Sequence, residues 1–177
     1  MLKSYRGIVP EVHETAFVEE SAQVIGDVKI GAHSSVWFNA VIRADVNSIR
    51  IGERTNIQDG CLLHVTLDRH DLIIGDNVTI GHGAIIHGCH IESNCLIGMG
   101  AIILDGAKIG ENCIVASGAV VAEGSIIPPN TLVMGIPAKP KRAVTEKDLE
   151  RVRAGCERYV LNKETYKREV QNVLRGR

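Results

Sequence analysis

Aliphatic residues recur at every sixth position through most of the chain, and this spacing predicts its architecture. Runs of these anchor positions cover residues 12–42, 51–63, 74–86 and 91–133. A hexapeptide repeat of this kind is typical of a parallel β-helix, in which three short strands form one triangular coil of about 18 residues. The twenty anchors therefore predict an all-β solenoid of six to seven coils. No helical pattern interrupts this region, which excludes a doubly wound α/β fold.

The apolar spacing becomes helical after the last anchor. Residues 137–144 contain two prolines and several basic residues, and we expect them to form a linker. Thr145 is a suitable N-cap, and acidic residues follow it in the first turn of the expected helix. The sequence thus predicts a lead-in at 1–11, a β-helix at 12–136, the linker, and a C-terminal α-helix at 145–177.

The six-residue repeat is interrupted at three places. Successive anchors are nine residues apart after Ile42, eleven after Leu63 and five after Ile86. Interruptions in a repeat are usually loops, and loops frequently carry function. Two of the three interruptions begin at an anchor that is directly followed by a histidine.

Composition and charge restrict the possible partners. The chain has 177 residues, enough for one domain with an appendage, and only 3% of them are aromatic. A net charge of −1 gives no excess for nucleic acid or a membrane surface. Five scattered cysteines fit small core positions rather than a disulfide framework, and no apolar run approaches a membrane span. We expect a cytoplasmic protein.

Three histidines occur among glycines and aliphatics in the stretch IGHGAIIHGCH at 80–90, with no acidic residue beside them in the sequence. In the repeat, Arg43, His64 and His87 each directly follow an anchor on the third side of successive coils. They should therefore form one outward-facing column at the strand spacing of about 4.8 Å. At that spacing, two imidazoles can converge on one metal ion.

His82 lies on the second side of its coil, in the position that Asp59 occupies one coil earlier. A third of a circle separates the two sides, so His82 cannot readily meet His64 and His87 within one chain. Three-fold packing of subunits would bring His82 of one subunit next to His64 and His87 of its neighbour. Three imidazoles with an open fourth position are typical of catalytic zinc. The isolated histidines are interpreted as surface or hydrogen-bonded residues: His13, His33, His70 and His90.

The stretches IRAD (42–45), NIQDGCLLH (56–64) and IGHGAIIHGC (80–89), on a hexapeptide background with a C-terminal helix, resemble the γ-class carbonic anhydrases and their bacterial homologues. The resemblance covers essentially the whole chain. It implies a left-handed parallel β-helix and a homotrimer, with Zn²⁺ or Fe²⁺ between subunits on His64 and His87 of one chain and His82 of the next. The implied activity is reversible hydration of CO2 to bicarbonate by a metal-bound hydroxide.

The resemblance also implies roles for other residues. Gln58 matches the side chain that orients the metal-bound water, and Asn56 lies close to it in the sequence. Arg43 and Asp45 match residues that hold the subunit interface together, with Asp59 as a partner across that interface.

The chain departs from the family pattern at two acidic positions. Val46 stands where archetypal members have a glutamate, and the loop VTLDRHDLI (65–73) contains no proton-shuttling glutamate. His70 is one alternative proton carrier, since an unperturbed imidazole titrates near pH ~6.5. Tyr159 is another candidate, because it resembles a tyrosine that reaches the metal pocket in relatives with a short loop.

Other functions remain open. Hexapeptide-repeat folds also host CoA-dependent acyltransferases, although these use one histidine as general base and need basic residues for the CoA phosphates. Hydrolysis of a CoA thioester by the same metal site is a nearer variant. The absent glutamates are also compatible with a metal-binding trimer of weak catalytic power.

Overall fold

The anchors of the six-residue repeat lie on short strands, and their side chains fill the inside of a coil. The computed structural model describes the backbone of residues 1–175 and the side chains of residues 1–169. Within these residues the chain forms a left-handed parallel β-solenoid of about seven turns followed by one C-terminal helix, which confirms the predicted fold.

Each coil has three sides, and strands are numbered β1 to β20 in chain order. Side 1 comprises the second halves of the long strands β4 (Gln23–Ile30) and β6 (Val41–Ile51), with β2 (Glu11–Val12), β9 (Leu72–Ile74), β12 (His90–Ile91), β15 (Lys108–Ile109) and β18 (Ile126–Ile127). Side 2 comprises β3 (Phe17–Val18), β5 (Ser35–Val36), β7 (Asn56–Ile57), β10 (Thr79–Ile80), β13 (Leu96–Ile97), β16 (Ile114–Val115) and β19 (Thr131–Met134). Side 3 comprises the first halves of β4 and β6, with β8 (Leu62–His64), β11 (Ile85–His87), β14 (Ile102–Ile103) and β17 (Val120–Val121).

The first interruption of the repeat is not a loop, contrary to the expectation from the sequence. Strand β6 continues around the corner from side 3 to side 1, as does its neighbour β4. Gly26 of β4 pairs with Ala44 of β6, and Val28 of β4 pairs with Ile49 of β6. The extra residues of β6 between these two pairs therefore form a bulge opposite Asp27. Bulges re-aim side chains without ending the strand pairing. The second interruption does form a loop, at residues 65–71.

The core consists of columns of aliphatic side chains. All anchors are buried except Val12 and Val18, which are partly exposed at the first coil. Four of the five cysteines also occupy this interior, and burial raises the pKa of Cys61 to about 11 and of Cys95 to about 12. The cysteines within the coils are therefore neutral, small core residues, as the sequence suggested.

The segments outside the repeat are more ordered than the sequence suggested. Strand β1 (Leu2–Lys3), within the expected lead-in, pairs in parallel with β4. Strand β20 (Lys139–Ala143), within the expected linker, pairs antiparallel with β19 and extends the sheet of side 2. Pro140 is tolerated in β20 because this strand lies at the edge of that sheet.

The C-terminal helix, α1 (Glu146–Arg175), packs along the outside of the coils. Thr145 caps it as predicted, because its hydroxyl accepts a hydrogen bond from the backbone nitrogen of Asp148 at 3.3 Å. Residues 176–177 of the predicted helix lie outside the described residues. Nowhere in residues 1–175 is a helix both long and apolar enough to cross a membrane.

Aromatic rings hold the helix against the first coils. Tyr159 and Tyr166 of α1 contact Trp37 edge-on, with ring centroids 5.3 and 5.2 Å apart. Phe17 and Phe38 complete the cluster. Most of the few aromatic residues of the chain thus serve to dock one element.

We expect Ile109→Ala to lower the free energy of unfolding by about 2–5 kcal/mol, because it leaves a cavity in the aliphatic column. Ile126→Ala is the matched control on the same side, since Ile126 is 75% exposed, and it should change stability by less than about 0.5 kcal/mol. Urea unfolding of both variants measures the difference. Equal losses would contradict the inward orientation of Ile109 and the outward orientation of Ile126.

Candidate metal centre

His64 and His87 form the centre of the candidate site. The strands β8 and β11 pair so that His64 lies directly opposite His87. Nδ1 of His64 is 3.0 Å from Nε2 of His87. Arg43 belongs to the same column, because the preceding Ile42 pairs with Leu63. The structure thus places these three residues in the column that the repeat predicted.

A carboxylate contacts the far nitrogen of each ring. Nε2 of His64 is 3.0 Å from Oδ1 of Asp45, and Nδ1 of His87 is 2.5 Å from Oδ1 of Asp105. Burial raises the pKa of each carboxyl group, but hydrogen bonds outweigh it and both pKa values lie below the ordinary value. The bonds to Asp45 come from His64 and Arg43, and those to Asp105 come from Thr66 and His87.

The two carboxylates determine which ring nitrogens carry protons. An ionised carboxylate can only accept, so each ring donates its N–H to its aspartate. In the neutral tautomers, the two nitrogens that face each other therefore both present lone pairs. Two nitrogens bound at about 2.05 Å to one tetrahedral zinc lie about 3.3 Å apart, which is close to the separation between these rings. The donor set fits a cation between His64 and His87.

His82 lies elsewhere on the coil. Strands β7 and β10 pair so that Ile57 is opposite Ile80, and two residues later His82 contacts Asp59, with Nδ1 2.9 Å from Oδ2. The side chain of His82 is 47% exposed. Within the described residues of one chain, no three His, Cys, Asp or Glu side chains come together as a metal site.

Gln58 and Asn56 support the backbone of His82. Oε1 of Gln58 accepts a hydrogen bond from the backbone nitrogen of His82 at 3.1 Å, and its Nε2 donates to Oδ1 of Asn56 at 3.0 Å. Asn56 in turn donates to the hydroxyl of Thr79 at 2.9 Å. Both amides are buried. In the single chain, these contacts fix the turn after β10 that carries His82.

Arg43 forms an ion pair with Asp45 of the same chain. Asp45 follows Ala44, where the bulge of β6 begins, and so reaches His64. The resemblance implied contacts across a subunit interface for Arg43, Asp45 and Asp59. Within the single chain all three have partners: Arg43 and Asp45 contact each other, and Asp59 contacts His82.

His70 and Tyr159 lie at different edges of the site. The ring of His70 packs against the backbone of Gly106 and interacts with the charge of Asp105. Tyr159 lies on α1 and lines a groove of about 670 Å³ between the helix and side 2, together with Gln58. Burial, then the charge of Asp59, raise the pKa of Tyr159 above its ordinary value.

Known proteins resemble the chain over most of its length. The family described as bacterial transferase hexapeptide (six repeats) matches residues 88–123, and the hexapeptide repeat of succinyl-transferase matches residues 71–104. A probable carbonic anhydrase of Methanocaldococcus jannaschii is 54% identical over 84% of this chain and 92% of its own length. A carbonic anhydrase of Geobacillus kaustophilus is 47% identical over 94% of this chain and 91% of its own length.

The chain belongs to the γ-class carbonic anhydrase-like family.

Solved structures of related proteins carry other names. A Bacillus cereus protein described as a putative acetyltransferase has a TM-score of 0.92 and 44% identity, covering 94% of this chain and 96% of its own. A hexapeptide transferase family protein of Anaplasma phagocytophilum has a TM-score of 0.89 and 39% identity, covering 93% and 97%. Thus proteins similar to this γ-class family member carry both anhydrase and transferase names.

The repeat placed Asp59 in the column of His82, but the sequence did not predict the aspartate partners of the other histidines. His64, His82, His87 and His90 each pair with an aspartate that is distant in sequence and close in space: Asp45, Asp59, Asp105 and Asp71. A search for acidic residues beside the histidines finds none of them. A search for aspartates 18 or 19 residues away in the sequence, which is about one coil, finds the partners of His64, His87 and His90.

In this γ-class chain, Gln58→Ala should lower the free energy of unfolding by about 1–3 kcal/mol, because it leaves polar groups of Asn56 and His82 unpaired. Gln23→Ala is the matched control: the Oε1 of Gln23 is buried but accepts no hydrogen bond within the described residues. That substitution should cost less than about 0.5 kcal/mol. Urea unfolding compares the two, and an equal cost would show that the Gln58 network contributes nothing.

Proposed function

We propose that the chain is one subunit of a metal-dependent carbonic anhydrase that reversibly hydrates CO2 to bicarbonate. The observation that carries this proposal is the pair of ring nitrogens of His64 and His87, 3.0 Å apart, with a carboxylate behind each ring. A carboxylate or carbonyl behind each imidazole is the usual arrangement of metal-binding histidines. The family relationship to proteins named carbonic anhydrase supports the same activity.

The third ligand in this proposal is His82 of a neighbouring subunit. One chain contributes two histidines to the site, which leaves the coordination of zinc incomplete. His82 is half exposed on another side and is held by Asp59, so it is available to a neighbour. A closed ring of three subunits would form three equivalent sites, each with His64 and His87 from one chain and His82 from the next.

An apolar column beside the histidines supports such an interface. Leu62 pairs with Ile85 on side 3, and their side chains point outward and are 47% and 37% exposed. Ile102 and Val120 continue this column in the next coils and are partly buried. Covering these side chains by a neighbour would contribute about 25 cal/mol for each Å² of apolar surface removed from water.

The ligand set accepts zinc or ferrous iron, since imidazole suits both ions. When bound to three imidazoles, zinc lowers the pKa of water to about 7 and so supplies a nucleophile for CO2 at neutral pH. Asp45 would hold the ring of His64 in the required tautomer. Gln58 would fix the turn that carries His82, and its second amide hydrogen would orient water.

The proton released in each turnover has two candidate carriers. An imidazole suits proton transfer near neutral pH, and His70 lies near Asp105 at the edge of the site. The raised pKa of Tyr159 keeps its phenol protonated, so Tyr159 suits hydrogen-bond donation better than proton transfer. We therefore assign the shuttle role to His70 and an orienting role to Tyr159.

Reaction at an acyl thioester is the second candidate function. The groove between α1 and side 2 extends from Gln58 over the apolar Leu96 and Ile114, and Arg151 and Arg158 also line it. Three arginines and one carboxylate, Asp148, line the groove together with these apolar side chains, so its net positive charge suits an elongated anion. Similar solved proteins named as transferases favour testing this activity beside CO2 hydration.

The first test is CO2 hydration by the purified protein, reconstituted anaerobically with zinc or ferrous iron. We expect a metal-dependent rate that His64→Ala lowers more than about 100-fold, because even residues behind a metal ligand contribute 10–100-fold. Hydrolysis of a short acyl-CoA thioester is measured on the same samples. If the fully metallated protein hydrates CO2 no faster than the His64→Ala control, the anhydrase proposal is wrong. Thioester hydrolysis or a binding role would then remain.

A mixed oligomer tests whether the site is shared between subunits. His64→Ala and His82→Ala chains should each be inactive alone, because each lacks one ligand. After unfolding and refolding together in equal amounts, about a quarter of the interfaces would combine an intact His64 with an intact His82. Activity should therefore recover to about a quarter of the unsubstituted rate per subunit. No recovery in mixed trimers, with mixing verified by native mass spectrometry, would exclude a shared site.

A further inference from the structure

Asp105 is a carboxylate beside the candidate metal centre whose two oxygens contact separate hydrogen-bond donors. It follows β14 at the corner where the chain leaves side 3, one coil beyond His87. Its Oδ1 is 2.5 Å from Nδ1 of His87, and its Oδ2 accepts a hydrogen bond from the hydroxyl of Thr66. Both oxygens are thus fixed by separate donors.

The backbone around Asp105 leaves room for this contact. Gly88 directly follows His87, and a Cβ at Gly88 would lie only 2.3 Å from Oδ1 of Asp105. The absence of a side chain at Gly88 therefore lets the carboxylate approach the imidazole. The backbone nitrogen of Gly106 donates to the carbonyl of Gly88 at 2.7 Å, which ties the two corners together.

The surroundings hold the carboxylate in place. The side chain of Asp105 is 16% exposed, compared with 33% for His87. Its two oxygens contact the hydroxyl of Thr66 and Nδ1 of His87. An ionised carboxylate can only accept hydrogen bonds, so His87 donates to Asp105 from Nδ1.

We propose that Asp105 is a positioning residue for the metal centre, which fixes His87 in the tautomer and orientation that leave Nε2 free to bind the metal. This role rests on the metal site proposed above. Thr66 acts through Asp105, because its hydroxyl fixes the second carboxylate oxygen. The loop 65–71, which carries both Thr66 and His70, is thereby connected to the ligand His87.

The chain contains a matched control for this proposal. Nε2 of His90 is 2.9 Å from Oδ1 of Asp71, in a histidine–aspartate pair on the neighbouring side 1. His90 is not among the proposed ligands. The side chain of Asp71 is 37% exposed, more than twice the exposed fraction of Asp105.

The experiment measures zinc affinity of the full-length protein by competition with a chromophoric chelator at neutral pH. We expect Asp105→Ala and Asp105→Asn to raise the Kd for zinc about 10–100-fold, and Thr66→Val to raise it by a smaller factor. Asp71→Asn should leave the Kd within about twofold. Thermal unfolding of the metal-free proteins shows whether any variant has simply lost its fold, and Asp105→Asn retains the volume of the native side chain.

A second measurement reports on His87 without metal. In the metal-free protein, the ¹⁵N shifts of its imidazole should indicate protonation at Nδ1, and this signature should be lost in Asp105→Ala but kept in Asp71→Asn. An unchanged tautomer together with an unchanged zinc Kd in folded Asp105→Ala would overturn the positioning role while leaving the metal site intact. Failure of the unsubstituted protein to bind zinc would overturn the proposed function itself, and the positioning role with it.

Discussion

Aliphatic side chains stack inward at six-residue intervals, and this stacking sets the strand register of the whole solenoid. Each anchor pairs with the equivalent residue of an adjacent coil, so strand register is fixed throughout the solenoid. Because the register is fixed, the residue after an anchor has a determined position on the outer surface. His64 and His87 face each other for this reason, and not through any local property of their own strands.

Irregularities in the repeat bring the acidic partners to the histidines. The bulge in β6 begins after Ala44 and turns Asp45 toward His64. The interval after Ile86 is one residue shorter than the repeat, and Gly88 in that corner leaves space for Asp105. A perfectly regular coil would repeat one outer surface in every turn. The departures from regularity therefore distinguish the candidate site from the rest of the solenoid.

In the proposed metal centre, the single chain would supply only part of the site. Two imidazoles with opposed lone pairs fit a cation, but zinc would need a further donor, and His82 lies on another side of the coil beside Asp59. The same surface carries outward-facing aliphatic side chains that are partly exposed. Assembly would cover these side chains and complete the ligand set together, which would couple metal binding to oligomerisation. Such coupling gives a reason for placing ligands on two separate sides of one coil.

The sequence by itself determined the solenoid, the columns of outward-facing residues and the N-cap at Thr145, because each follows from a local period or a short-range hydrogen bond. It also revealed the family, through three stretches around the histidines. Only the tertiary structure decided the aspartate partners, since Asp45 and Asp105 reach their histidines through a bulge and a glycine corner whose paths no periodic pattern encodes. It likewise decided that 139–143 forms an edge strand, because pairing with β19 is a contact between backbones and leaves no mark in the side-chain pattern.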